Sequence, residues 1–140
     1  MDYDSARKNM IEQHIRPWNV NSSDVINSLY SVPRENFVPD AYKNFAFCDF
    51  QVPLGDNESM FNPMIEARIL QSSLTRAAGE ILEIGCGHGY MAALLSQIYK
   101  SVITVEINQS FVIQAEKNFK SQNIKNVQIL HGDGLKVDSR

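Results

Sequence analysis

From residue 80 onward the chain alternates short β-branched runs with helix-length apolar segments. Runs at 81–84, 102–106 and 127–131 are separated by segments 90–99 and 110–121. Such alternation leaves few architectures open. A strand, a helix and a second strand pack back on one another as a right-handed crossover, so the strands lie parallel. The predicted class is therefore α/β, built on a βαβαβ unit.

The first strand–helix junction reads Leu82-Glu83-Ile84-Gly85-Cys86-Gly87-His88-Gly89-Tyr90. Gly85, Gly87 and Gly89 permit a tight turn and close approach of the backbone to a ligand. The spacing is not that of the dinucleotide fingerprint, whose third glycine would fall at Tyr90. Instead an acid, Glu83, sits on the strand itself, a pattern resembling the first motif of the S-adenosylmethionine-dependent methyltransferases. Two further acids follow the later runs. Glu106 ends the second, where a carboxylate can accept from ribose hydroxyls. Asp133, in Gly132-Asp133-Gly134, is placed to accept from an adenine amine. Alone, each would read as a solvated strand end or a turn former. Together, at three strand ends, they read as a nucleoside-cofactor site.

The first half has a different character. Asp4-Ser5 offers a cap for a helix through Ala6, Met10 and Ile15 that stops before Pro17. A second cap lies at residues 21–24, ahead of Val25, Ile26, Leu29 and Tyr30 at helical spacing. The proline-bracketed stretch 33–39 suits a turn or 3₁₀ segment that packs Phe37 and Val38. The aromatic stretch 42–50 is expected to serve the core, and residues 50–57 suggest short extended pieces around a turn. Pro63 suits the first turn of a helix carrying Met64, Ile65, Ile69, Leu70 and Leu74.

The 140 residues, 44% hydrophobic and 21% charged, are long enough for one domain with a real core. The expected division is residues 1–78, helical and on the substrate side, and 79–140, the cofactor-binding βαβαβ unit, together one domain. A net charge of −3 gives no reason to expect nucleic acid or an anionic membrane as partner. No apolar run is long enough to span a bilayer. The acidic start Met1-Asp2-Tyr3-Asp4 is unlike a secretory signal. Cys48 and Cys86 sit in unlike surroundings and are expected as free thiols in the cytoplasm. Cys86-x-His88 has no second ligand pair at metal spacing, so no metal is expected.

Further motifs carry a more specific resemblance. Ser5-Ala6-Arg7-Lys8-Asn9-Met10-Ile11-Glu12, Val32-Pro33-Arg34-Glu35-Asn36-Phe37-Val38-Pro39 and Val52-Pro53-Leu54-Gly55 precede the glycine turn, Val105-Glu106 and residues 132–134. In this order they resemble the protein-L-isoaspartate O-methyltransferases, along the whole chain. The resemblance implies a Rossmann-like fold with an added N-terminal helical region and strands in the order 3-2-1. It implies S-adenosyl-L-methionine as cofactor and cytoplasmic repair of proteins by methylation of an isoaspartyl α-carboxyl. Glu83, Gly85, Gly87, Gly89, Glu106 and Asp133 would hold the cofactor. Ser59, matching a family threonine, would border the acceptor.

Two departures accompany it. Phe61 stands where the family carries a serine near the substrate carboxylate, which leaves open another acceptor, including a small molecule. The sequence also stops after the third strand, as expected of a shortened and inactive form. Its first strand would then lack a neighbour on one side, inviting self-association. A non-catalytic cofactor-binding or interaction domain remains the alternative from a different class.

Overall fold

Asp2, not the Asp4-Ser5 pair, starts the first helix. Its carboxylate accepts from the Ser5 N–H at 3.2 Å and from Ser5 Oγ at 2.8 Å, which caps α1 (Tyr3–Asn9). The computed structural model describes residues 1–74 and 79–136. The chain forms two compact units, Met1–Arg76 and Ala77–Arg140.

In the first unit, α1 runs into a π-helical stretch, Met10–Ile15, and a 3₁₀ turn, Arg16–Trp18, that contains Pro17. The expected stop before the proline is thus a tightening, because a proline near a helix start gives up no needed N–H. Then α2 (Ser23–Ser31) buries Val25, Ile26 and Leu29. Its entry is held from elsewhere: Gln71 Oε1 accepts from the N–H groups of Asn21 and Ser22 at 3.0 and 3.1 Å. Gln71 lies on α3 (Pro63–Ser73), where Asn62 Oδ1 caps the Ile65 N–H at 3.0 Å. The inward face of α3 includes Met64, Ala67 and Leu70, whereas Ile65 and Ile69 are exposed.

The proline-bracketed stretch forms the expected 3₁₀ turn, Arg34–Asn36, and seals Phe37 and Val38 in the core. Burying a phenylalanine is worth about 2–3 kcal/mol. Hydrophobic patterning gave no hint that Arg34 and Glu35 are also buried. Arg34 Nε donates to the Ala46 carbonyl at 2.6 Å, Nη2 donates to the Phe61 carbonyl at 3.2 Å, and Nη1 pairs with Glu66 on α3. Glu35 accepts from Arg7 Nη2 at 2.5 and 2.7 Å, and the Arg7 guanidinium lies 5.4 Å from the Phe47 ring centre. Buried charges are tolerated because each has its partner. A hairpin, β1 (Pro53–Gly55) with β2 (Glu58–Ser59), turns through Asp56 and Asn57, both at positive φ. The aromatic stretch departs from expectation. Phe47 is buried, but Phe45 is 49% and Phe50 38% exposed.

The second unit is β3 (Glu80–Ile84), α4 (Tyr90–Ser96), β4 (Ser101–Glu106), α5 (Gln109–Ser121) and β5 (Val127–His131). Its three strands are parallel in the order β3-β4-β5, with Ile81 opposite Val102 and Val102 opposite Val127. This is the consecutive order 3-2-1 of a Rossmann-like sheet. The central strand buries Val102, Thr104 and Val105, and the helices contribute Leu94, Phe111, Val112 and Phe119. α4 is shorter than the sequence suggests. After its end, Asn126 Nδ2 takes over the carbonyls of Ser96 and Tyr99 at 2.9 and 3.2 Å. β3 has β4 on one side and no strand on the other among the described residues.

Candidate cofactor site

Parallel strands deliver their carboxyl ends to one edge, and the turns that follow them meet there. After β3 the chain enters the glycine turn. Gly85 donates its N–H to the Val105 carbonyl at 2.6 Å and adopts φ +84. A Cβ built on it would meet nothing within 4 Å, so the backbone there faces open space. Gly89 differs. At φ +97, its Cβ would fall 2.7 Å from the Phe119 ring, so the missing side chain lets α4 close on α5.

Glu106 ties the turn to the end of β4. Its Oε1 accepts from the Gly87 N–H and its Oε2 from the Asn108 N–H, both at 2.9 Å. The carboxylate is buried, and two such bonds leave lone pairs on both oxygens for a further donor. Glu83 turns sideways in the sheet and accepts from Thr104 Oγ1 at 2.6 Å. Between these acids lies Cys86. Burial, then the negative charges of Glu83 and Glu106, push its thiol up to about 12. His88 stacks edge-on against Phe111, centroids 5.4 Å apart. Burial lowers its pKa, against the pull of Glu106.

At the end of β5, Gly132 donates to the Glu106 carbonyl at 2.9 Å, and the His131 Nε2 lies 3.0 Å from the Ile107 carbonyl. Asp133 Oδ1 accepts from the Leu135 N–H at 2.9 Å, forming a local turn. The following Gly134 packs so closely that a Cβ would lie 2.2 Å from Ile84 Cγ2. Thus Glu83, Gly85, Gly87, Gly89, Glu106 and Asp133 all belong to one edge of the second unit. Ser59 is exposed on β2 of the first unit. Sequence reasoning passed over Ile107, which is 67% exposed beside Glu106 and offers an apolar face. Its position directly after the acid was the available signal. It also passed over Asn118, whose Nδ2 donates to the His88 carbonyl at 2.9 Å, and no sequence pattern marks that residue. No group of three or more metal-ligating side chains occurs among the described residues. No helix among them is long and apolar enough to cross a membrane.

A parallel sheet with a glycine turn and an acid on the next strand defines the Rossmann-like methyltransferase class. Solved structures agree. A protein-L-isoaspartate O-methyltransferase matches at TM-score 0.74 and 25% identity over 91% of this chain and 42% of that one. Another, described as a putative protein-L-isoaspartate O-methyltransferase from Plasmodium falciparum in complex with S-adenosyl-L-homocysteine, has the same fold, at TM-score 0.79 and 18% identity over 99% of this chain and 66% of that one. The family model for protein-L-isoaspartate(D-aspartate) O-methyltransferase matches residues 5–137, and the chain belongs to that family. A relative of that name from Syntrophotalea carbinolica is 36% identical over 96% of this chain and 62% of its own length. One from Petrotoga mobilis is 32% identical over 97% and 64%. The chain thus spans about three fifths of the length of these relatives.

Proposed function

We propose that the chain binds S-adenosylmethionine at the carboxyl edge of its parallel sheet and serves methyl transfer to a carboxylate of an isoaspartyl residue in a protein or peptide. The observation that carries this is the clamp of Glu106 on Gly87 beside the open backbone at Gly85. A buried acid with spare lone pairs suits ribose hydroxyls, and a glycine with empty space before it suits close approach of the methionine moiety. Ile107 offers an apolar face to a purine, with Asp133 next along the edge for its amine. Glu83, braced by Thr104, keeps the strand before the turn in register.

The cofactor, when bound, supplies a methyl group activated on a sulfonium. An acceptor carboxylate is already ionised at neutral pH, so the protein's part is to align and desolvate the partners. No acid–base residue is required. Ser59, on β2, is assigned to the acceptor side. Phe61, 56% exposed at the position of the family serine, favours a second choice of acceptor: a carboxylate with apolar neighbours that is not isoaspartyl. Amide NMR of the chain titrated with S-adenosylhomocysteine tests the cofactor assignment. Shifts concentrated at 85–89, 106–108 and 131–134 are expected, and shifts confined to other residues contradict it.

A further inference from the structure

Aromatic side chains usually reach the interior, yet one surface of the first unit displays several. Tyr42, Phe45 and Phe50 cluster with ring centres 5.7–6.4 Å apart, and Phe45 and Phe50 remain partly exposed. The backbone beneath is rigidly held. Arg34 binds the carbonyl of Ala46, the residue after Phe45, and with the same guanidinium binds the carbonyl of Phe61. Phe61 is further fixed from both sides, by the Met60 N–H donating to the Val52 carbonyl at 2.8 Å and by the Asn62 cap. One buried guanidinium therefore ties the backbone after Phe45 to the backbone at Phe61. Exposed apolar surface on a rigid frame marks a place where something binds.

Charge indicates what. Between residues 40 and 61 the exposed acids are Asp40, Asp49, Asp56 and Glu58, and the single cation is Lys43, itself 3.8 Å from Asp40. Aromatic faces and carboxylates both attract cations, and the rings also bury aliphatic groups.

We propose that Tyr42, Phe45 and Phe50 form a docking surface for an extended peptide, which lays an aliphatic side chain on the rings and lysines or arginines among the acids. The proposal rests on the assignment of a protein or peptide as acceptor. It adds a rule of selection: acceptor sites flanked by basic and apolar residues are preferred over those flanked by acidic or small polar ones.

The test is fluorescence polarisation of the whole chain with three labelled peptides, each holding one isoaspartyl residue. One has lysine and leucine flanks, one has its leucines changed to serine, and one has its lysines changed to glutamate. The first is expected to bind about tenfold more tightly than either other. Phe45→Ser with Phe50→Ser should erase that ranking while S-adenosylhomocysteine affinity and thermal unfolding stay at wild-type values. Should the double variant unfold, Phe45→Ser alone should reduce the preference about threefold. Equal affinity for the three peptides overturns the proposal, as does a ranking that survives the substitutions. Self-association of the free chain that Phe45→Ser with Phe50→Ser abolishes, without any peptide ranking, gives the surface to a second copy and overturns it too. If the ranking holds while S-adenosylhomocysteine fails to bind, the docking surface stands and the cofactor assignment falls.

Discussion

The Glu106 carboxylate accepts from the Gly87 N–H at 2.9 Å, so the acid on the second strand of the sheet holds the turn that follows the first. One side chain thereby joins the two parts of the candidate site. Glu106→Ala removes both of its backbone bonds and should cost about 1–3 kcal/mol of stability in the second unit. Glu106→Gln should cost nearly as much, because its amide presents a donor to one of the two N–H groups. Both should weaken S-adenosylhomocysteine binding about ten- to a hundredfold. Urea unfolding and calorimetry on the same samples separate the two effects.

Two glycines of one motif should respond to different degrees. Gly89→Ala drives a Cβ into the Phe119 ring at 2.7 Å, and overpacking of this kind costs about 1–3 kcal/mol. Both positions have a left-handed backbone that costs an alanine about 1–2 kcal/mol; Gly85→Ala meets no atom and should lose only that, while impairing ligand binding more. Thermal melts ranking Gly85→Ala below Gly89→Ala would show that the packing role is misassigned.

Much of this was legible in the sequence. Periodicity located each strand of the parallel sheet to within a residue, because short β-branched and apolar runs bounded by turn residues stand out from the helical segments between them. The motif's meaning was only partly legible. Three glycines look alike on paper, yet Gly89 faces Phe119, thirty residues away, and only tertiary packing separates it from Gly85. Nothing in the sequence marks Arg34 and Glu35 as buried, because Glu66 and Arg7 arrive from distant segments to neutralise them. The aromatic stretch misled for a related reason: composition does not record which side of a 3₁₀ turn faces outward.

The buried pair Arg34–Glu66 makes the first unit sensitive to pH. Burial raises the Glu66 carboxyl from 4.5 to about 7, against the attraction of Arg34. A folded pKa above the unfolded one favours folding fully below pH 4.5, and that contribution is lost as pH rises through about 7. Glu66→Gln should therefore lose less stability than wild type as pH rises over this window. A difference that stays constant across the window would contradict it.

The two thiols should react very differently. Cys48 is exposed, whereas Cys86 is buried and pushed up to about 12, so its nucleophilic thiolate is scarce at neutral pH. Iodoacetamide at pH 7.5 should label Cys48 alone in the folded chain and both residues in denaturant, read by mass spectrometry of the tryptic peptides.

Whether the sheet edge holds a nucleoside cofactor is decided most directly by titration calorimetry of the unmodified chain with S-adenosylhomocysteine, with NAD as the comparison ligand. The geometry predicts saturable binding of S-adenosylhomocysteine at one site per chain and none of NAD, because the turn lacks the dinucleotide spacing. No heat with S-adenosylhomocysteine, or equal binding of both ligands, would contradict it.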